Sequence, residues 1–162
     1  MAAFRETEAM GLTNMRLFGF DSFEGLPAAA AHEDEGKWKP GAWRSDLVFT
    51  QAVLDDEGVD RKRVTLVQGW FDQTCVPETA RKYAISKASV IMVDCDIYSS
   101  TRQALNFCAP LIQDTALILF DDWHTGQLAA KNMGERKAFE EGLEGQGCFK
   151  AESFGTYRVK SE

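Results

Sequence analysis

Two stretches of the chain run from unbroken apolar sequence straight into carboxylates: "VIMVDCD" at 90–96 and "LILFDD" at 117–122. Each apolar run is short and shows no polar alternation. Such a run reads as a strand buried on both faces, the usual state of a strand in a parallel sheet. "MRLFGFD" (15–21) and "VTLVQGW" (64–70) have the same character. Between these runs lie helical patterns. Residues 2–12 have Phe4 and Met10 as apolar anchors and Gly11 as a stop. In 45–58, Ser45 is placed to cap, Leu47, Val48, Val53 and Leu54 mark one face, and Gly58 ends the helix. Residues 77–85 carry Pro77 in their first turn, and 100–112 and most of 126–145 complete the set.

Alternation of strand and helix predicts an α/β fold: a Rossmann-like, mostly parallel sheet with helices on both faces. The segments flanking Gly155, 148–154 and 156–160, read as a C-terminal antiparallel hairpin. A chain of 162 residues is long enough for one domain, 1–162, with a real core, and short for two. Residues 22–44 contain Gly, Pro and mixed charge with no clean period. Loops this long in compact domains tend to be lids or binding loops.

Charge and composition exclude several function classes. A formal net charge of −7 argues against a nucleic-acid backbone or an anionic membrane as partner. The basic cluster Arg61–Lys62–Arg63 reads as a solvated turn before a strand. No apolar run approaches the roughly 18 residues of a membrane span. The start, "MAAFRETEAM", lacks the apolar core of a signal peptide, which makes the expected location cytoplasmic. The cysteines, Cys75, Cys95, Cys108 and Cys148, form no CxxC pair and read as small, mostly buried residues.

In an open α/β sheet, ligands bind at the carboxyl ends of the strands. Here those ends are Asp21, Gly69–Trp70, Asp94–Cys95–Asp96 and Asp121–Asp122. Acidic groups from different strands therefore gather on one edge, where like charge and burial both oppose ionisation. A divalent cation would compensate. An all-carboxylate set suits Mg²⁺, Mn²⁺ or Ca²⁺ and not zinc. The blander alternative is that Asp96 caps the next helix and Asp122 ends a strand in a turn. Asp94 and Asp121 come directly off apolar strands, where a bare carboxylate is costly. An acidic residue placed like Asp21 typically takes ribose hydroxyls in nucleotide-binding sheets.

"FGFDSFEGLP" (18–27), "VDCDIYSST" (93–101) and "FDDWH" (120–124) together resemble the macrocin O-methyltransferase family, S-adenosylmethionine-dependent enzymes that tailor antibiotic sugars and related natural products. The resemblance spans about residues 2–160, and the decamer around Asp21 is its most specific part. It implies a class I methyltransferase fold, S-adenosylmethionine and Mg²⁺ as cofactors, and a small-molecule hydroxyl as acceptor. It implies Asp94, Asp121 and Asp122 as metal ligands. Asp21 would bind the donor's ribose, with Ser22 and Phe23 beside it. Gly69, Trp70 and Phe71 would lie near the adenine. The general base stays open between His124 and Asp96. The loop at 24–44, with Trp38 and Trp43, would shape the acceptor site.

One departure stands out. The family begins with a strand and a Gly-rich turn, and no counterpart precedes the first helix here; the only G-x-G, Gly145–Gln146–Gly147, follows a helix near the C-terminus. The resemblance thus implies a sheet without its central first strand, with two exposed strand edges and a tendency to homo-oligomerise. Rival readings are a non-catalytic binding or self-association domain, a Mg²⁺-dependent phosphatase using Asp-x-Asp, and a glycosyltransferase using the same motif. Tyr98 stands where the phosphatase motif wants Thr or Val.

Overall fold

The computed structural model describes residues 2–156. Helix α1 (Ala2–Ala9) leads into strand β1 (Leu17–Asp21). A long loop with short 3₁₀ turns at Ala28–Ala31 and Asp34–Gly36 precedes α2 (Leu47–Asp56). Then follow β2 (Val64–Gln68), α3 (Phe71–Thr74), α4 (Pro77–Lys82), β3 (Val90–Val93), α5 (Tyr98–Cys108), β4 (Leu117–Phe120) and α6 (Gly134–Gly142).

All strand pairing is parallel, but the sheet is not continuous. β1 pairs with β2 from Leu17↔Val64 to Asp21↔Gln68, and β3 pairs with β4 from Val90↔Leu117 to Val93↔Phe120. Among the described residues no ladder joins the two ribbons. α5 links the ribbons from one side. Its Phe107 ring lies 5.3 Å from Phe20 of β1, and its Leu105 packs with Ile91 and Val93 of β3.

The main core gathers Ile91, Val93, Leu105, Ala109, Ala138 and Leu143. Small residues on α6 let it approach α5 closely; a Cβ on Gly142 would stand 3.6 Å from that of Leu105. Both helices cover the same face of β3–β4. On the other face Val90, Met92 and Leu117 are 58%, 52% and 44% exposed. The expectation of strands buried on both faces therefore fails for this ribbon. Its apolar run is continuous, yet only alternate side chains have a helix to pack on.

Several local expectations need correction. α2 is capped by Asp46, whose carboxylate accepts the Phe49 N–H at 2.8 Å, while Ser45 bonds to Thr50 instead. Val48 and Phe49 on α2 are exposed, so its apolar face is only partly used. Phe4 is buried as an anchor of α1, but Met10 is exposed. The basic cluster is not simply a solvated turn. Arg63 lies over the Phe4 ring, donates to the carbonyls of Met15 and Leu12 at 3.0 Å, and pairs with Glu8, tying α1 to the start of β2. The segment 148–156 forms no strand; the rest of the expected hairpin lies outside the described residues. Cys75, Cys95 and Cys108 are partly buried and Cys148 is exposed. Among the described residues no helix is long and apolar enough to cross a membrane.

The long loop is docked, not free. Ala30 and Trp38 pack with Ile97 and Leu128 in a second core. Neither α5 nor α6 has a cap from its own N-cap side chain. The loop supplies both. Asp34 accepts from Tyr98 N–H at 3.0 Å and from Gly134 N–H at 2.9 Å, and Glu33 accepts from Ser99 N–H at 2.8 Å. Carboxylates at helix N-termini satisfy orphan donors and meet the positive end of the dipole.

Candidate functional site

The carboxyl ends of all four strands open on one cavity of about 840 Å³. Asp21, Trp70, Phe71, Asp94, Asp96, Asp121 and Asp122 line it, with Trp38 and Trp43 of the long loop on its wall. Parallel pairing explains the convergence. Every strand runs the same way, so every strand ends at the same edge.

Asp94, Asp121 and Asp122 come together at the ends of β3 and β4. One carboxylate oxygen from each lies within 4.8 Å of the others. The backbone sets this up, since Asp121 N–H donates to Val93 O at 3.0 Å and so locks the end of β4 to the end of β3. Partial burial in the cavity floor pushes the Asp94 pKa up, and the charges of Asp121, Asp122 and Asp21 push it further. Asp96 is pushed up to about 7 by burial, by the charges of Asp122 and Asp94, and by a hydrogen bond with Asp122. Its backbone is left-handed, at φ 60°, a conformation that aspartate tolerates better than most residues but that still stores strain. Three converging carboxylates fit a hard, oxygen-ligated cation. Zinc would call for nitrogen or sulfur ligands.

The turn after β1 is built by its own side chains. Asp21 Oδ1 accepts the Phe23 N–H at 2.7 Å, and Ser22 Oγ accepts from Glu24 N–H and donates to Gly25 O. Gly25 is obligatory here: at φ 83°, a Cβ would lie 2.6 Å from the carbonyl oxygens of Gly41 and Ala42. Asp21 is exposed at the cavity and Ser22 lines it while serving the turn. Phe23 does not line the cavity. It is buried and at φ 60°, which turns its ring into the protein. Gly69 at φ 140° leaves room for Thr74, whose Cγ2 would stand 2.8 Å from a Cβ, and its N–H donates to Asp21 O. That turn delivers Trp70 and Phe71 to the cavity wall.

His124 is placed elsewhere. It lines a separate surface concavity with Trp123, Arg136 and Glu140, outside the main cavity. It stands at the N-cap of the 3₁₀ turn Thr125–Gln127, while the next residue, Thr125, lines the main cavity. Of the two candidates for general base, only Asp96 lines the cavity with the other carboxylates.

Sequence reasoning missed Glu135. It is 2% exposed, and Oε2 accepts the Asp122 N–H at 3.0 Å. Burial first, and then the charge of Asp122, push its pKa up to about 9. In sequence it sits in "GERKAFEEG", where a glutamate reads as one more surface charge. Asp34 was missed for the same reason, inside the acidic run "HEDEG".

Residues 1–143 match the family described as Macrocin-O-methyltransferase (TylF). Over 121 residues the chain is 28% identical to the 8-demethyl-8-(2,3-dimethoxy-alpha-L-rhamnosyl)-tetracenomycin-C 4'-O-methyltransferase of Streptomyces olivaceus, which covers 71% of this chain and 44% of that protein. The chain therefore spans less than half the length of this curated relative. Among solved structures it is similar to the O-methyltransferase NovP, with a TM-score of 0.67 at 16% identity, over 85% of this chain and 56% of that one. It is also similar to CalS11, described as a TDP-rhamnose 3'-O-methyltransferase of calicheamicin biosynthesis, in its apo form. There the TM-score is 0.53 at 21% identity, over 80% of this chain and 51% of that one. These structural likenesses establish the α/β methyltransferase fold.

Proposed function

Since the chain belongs to the macrocin O-methyltransferase family, we propose that it serves S-adenosylmethionine-dependent, Mg²⁺-assisted methyl transfer to a hydroxyl of a small molecule, a sugar or other natural product. The observation that carries this reading is the meeting of Asp94, Asp121 and Asp122 within 4.8 Å, in a cavity that Asp21, Trp70 and Phe71 share. The curated relative's name, a 4'-O-methyltransferase of a rhamnosyl compound, supports a sugar hydroxyl as acceptor.

In this reading Asp94, Asp121 and Asp122 hold the cation, and Asp21 takes the ribose hydroxyls of the donor. Gly69, Trp70 and Phe71 would lie near the adenine. When bound, the donor supplies an electrophilic methyl and Mg²⁺ supplies a Lewis acid that lowers the pKa of the acceptor hydroxyl. Asp96 would take the proton that the acceptor hydroxyl gives up as it accepts the methyl the donor would supply. Asp96 lines the cavity beside the carboxylate triad, the place from which a base would reach an acceptor held there. The docked loop, through Trp38 and Trp43, walls the acceptor side and holds the reactants in line, and positioning of this kind supplies much of the rate.

Calorimetry with S-adenosylhomocysteine, with and without Mg²⁺, tests the proposal. Binding that tightens with Mg²⁺ is expected. Absence of heat under both conditions would sink the reading that this chain turns over by itself. The unpaired ribbons and the exposed face of Val90, Met92 and Leu117 favour a second reading, a non-catalytic binding or self-association domain. Self-association without any binding of the donor product would favour it over methyl transfer.

A further inference from the structure

Glu135 combines near-complete burial with an oxygen that has no partner. The residue is 2% exposed; Oε2 accepts from Asp122 N–H at 3.0 Å, and Oε1 is shielded with no hydrogen bond. A buried carboxyl with half its capacity unmet is unfavourable for the fold, and an apolar side chain would fill the same space at lower cost. What the residue contributes is local to the carboxylate triad. Asp121 and Asp122 follow β4, and their two N–H groups are fixed by different partners. The first donates to Val93 O across the ribbon, and the second lies beyond the ladder and donates to Glu135.

Glu135 is itself held. It opens α6 next to Gly134, whose N–H is bound by Asp34 Oδ1 at 2.9 Å and against which Leu128 packs. A chain of contacts therefore runs from the docked loop, through the first turn of α6, to the backbone of Asp122. We infer that Glu135 is a positioning residue: it clamps the Asp122 backbone so that the Asp122 carboxylate faces Asp94 and Asp121. The inference rests on the metal reading proposed above. It adds a residue outside the triad that sets the geometry of the triad.

The test compares the unsubstituted chain with Glu135→Gln, Glu135→Asp and Glu135→Met, each checked for folding by circular dichroism. Gln keeps an acceptor at the right reach without charge. Asp keeps the carboxyl group but falls short, and Met removes the acceptor. Mn²⁺ affinity, read from the free-ion electron paramagnetic resonance signal, should stay within about threefold in E135Q. It should weaken by about tenfold or more in whichever of E135D and E135M folds, the range typical of groups that orient metal ligands. Amide exchange of Asp122 should accelerate in the same variants and not in E135Q. Full Mn²⁺ affinity in E135D or E135M overturns the inference, as does equal weakening in E135Q. If the unsubstituted chain holds no Mn²⁺, the metal reading fails instead. The exchange measurement then still decides the clamp, which is overturned if Asp122 exchanges equally in all four proteins.

Discussion

Asp94 and Asp96 stand two positions apart in sequence, yet the structure separates them. Asp94 joins Asp121 and Asp122 in the triad, while Asp96 sits in a left-handed turn with its carboxyl against Asp122. In the proposed reaction they therefore fail differently. Asp94→Asn should abolish the Mg²⁺ enhancement of S-adenosylhomocysteine binding in calorimetry. Asp96→Asn should leave that binding intact and lower kcat by about 10²–10⁴-fold, the range of a lost general base. Steady-state kinetics with equal losses in binding and kcat for both variants would contradict the division. The acidic strand ends were legible because apolar runs that end on carboxylates are unusual. Choosing between Asp96 and His124 was not legible, because both are near neighbours of triad residues in sequence. In the structure Asp96 lines the main cavity and His124 lies in a separate concavity with Trp123, Arg136 and Glu140.

At the level of elements, strand and helix alternation was readable almost throughout, and three of the misreadings share one cause. Arg63, Asp34 and Glu135 are charged residues in charged surroundings, so local pattern assigns them to solvent. Each is instead held by partners far away in sequence: Arg63 by α1 and the turn after it, Asp34 by α5 and α6, Glu135 by Asp122. Arg63→Ala should cost about 1–3 kcal/mol in urea unfolding, since it removes charge-assisted hydrogen bonds to two carbonyls and the packing on Phe4, and so loosens α1. Asp34→Ala should cost a similar amount, about 1–3 kcal/mol, because two helix N-termini lose a cap together. A change below about 0.5 kcal/mol, the usual size for a solvated surface residue, would show these contacts to be incidental.

For the whole molecule, the raised acids around the carboxylate cluster set a pH dependence with a definite sign. Asp94 is raised, Asp96 is raised to about 7 and Glu135 to about 9, all above their values in an unfolded chain. Between the unfolded and folded values the folded state binds more protons, so stability falls as pH rises. In a chelator the melting temperature should drop from about pH 5 to about pH 8, and Mg²⁺ should recover more of it at the higher pH. A flat or rising profile in chelator would contradict the shifts. The face of Val90, Met92 and Leu117 and the unpaired edges should also drive self-association, checked by sedimentation across concentration; Met92→Lys should reduce it. Sequence by itself determined the α/β class and the acidic edge, since hydrophobic period and strand-end chemistry are local properties; the family was legible through the resemblance that its motifs carry. Tertiary structure alone decided that the strands form two ribbons, that the loop is docked by capping two helices, and that Glu135 stands behind Asp122. Those depend on which side chains meet across the fold, and the spacing of residues along a chain does not encode such meetings.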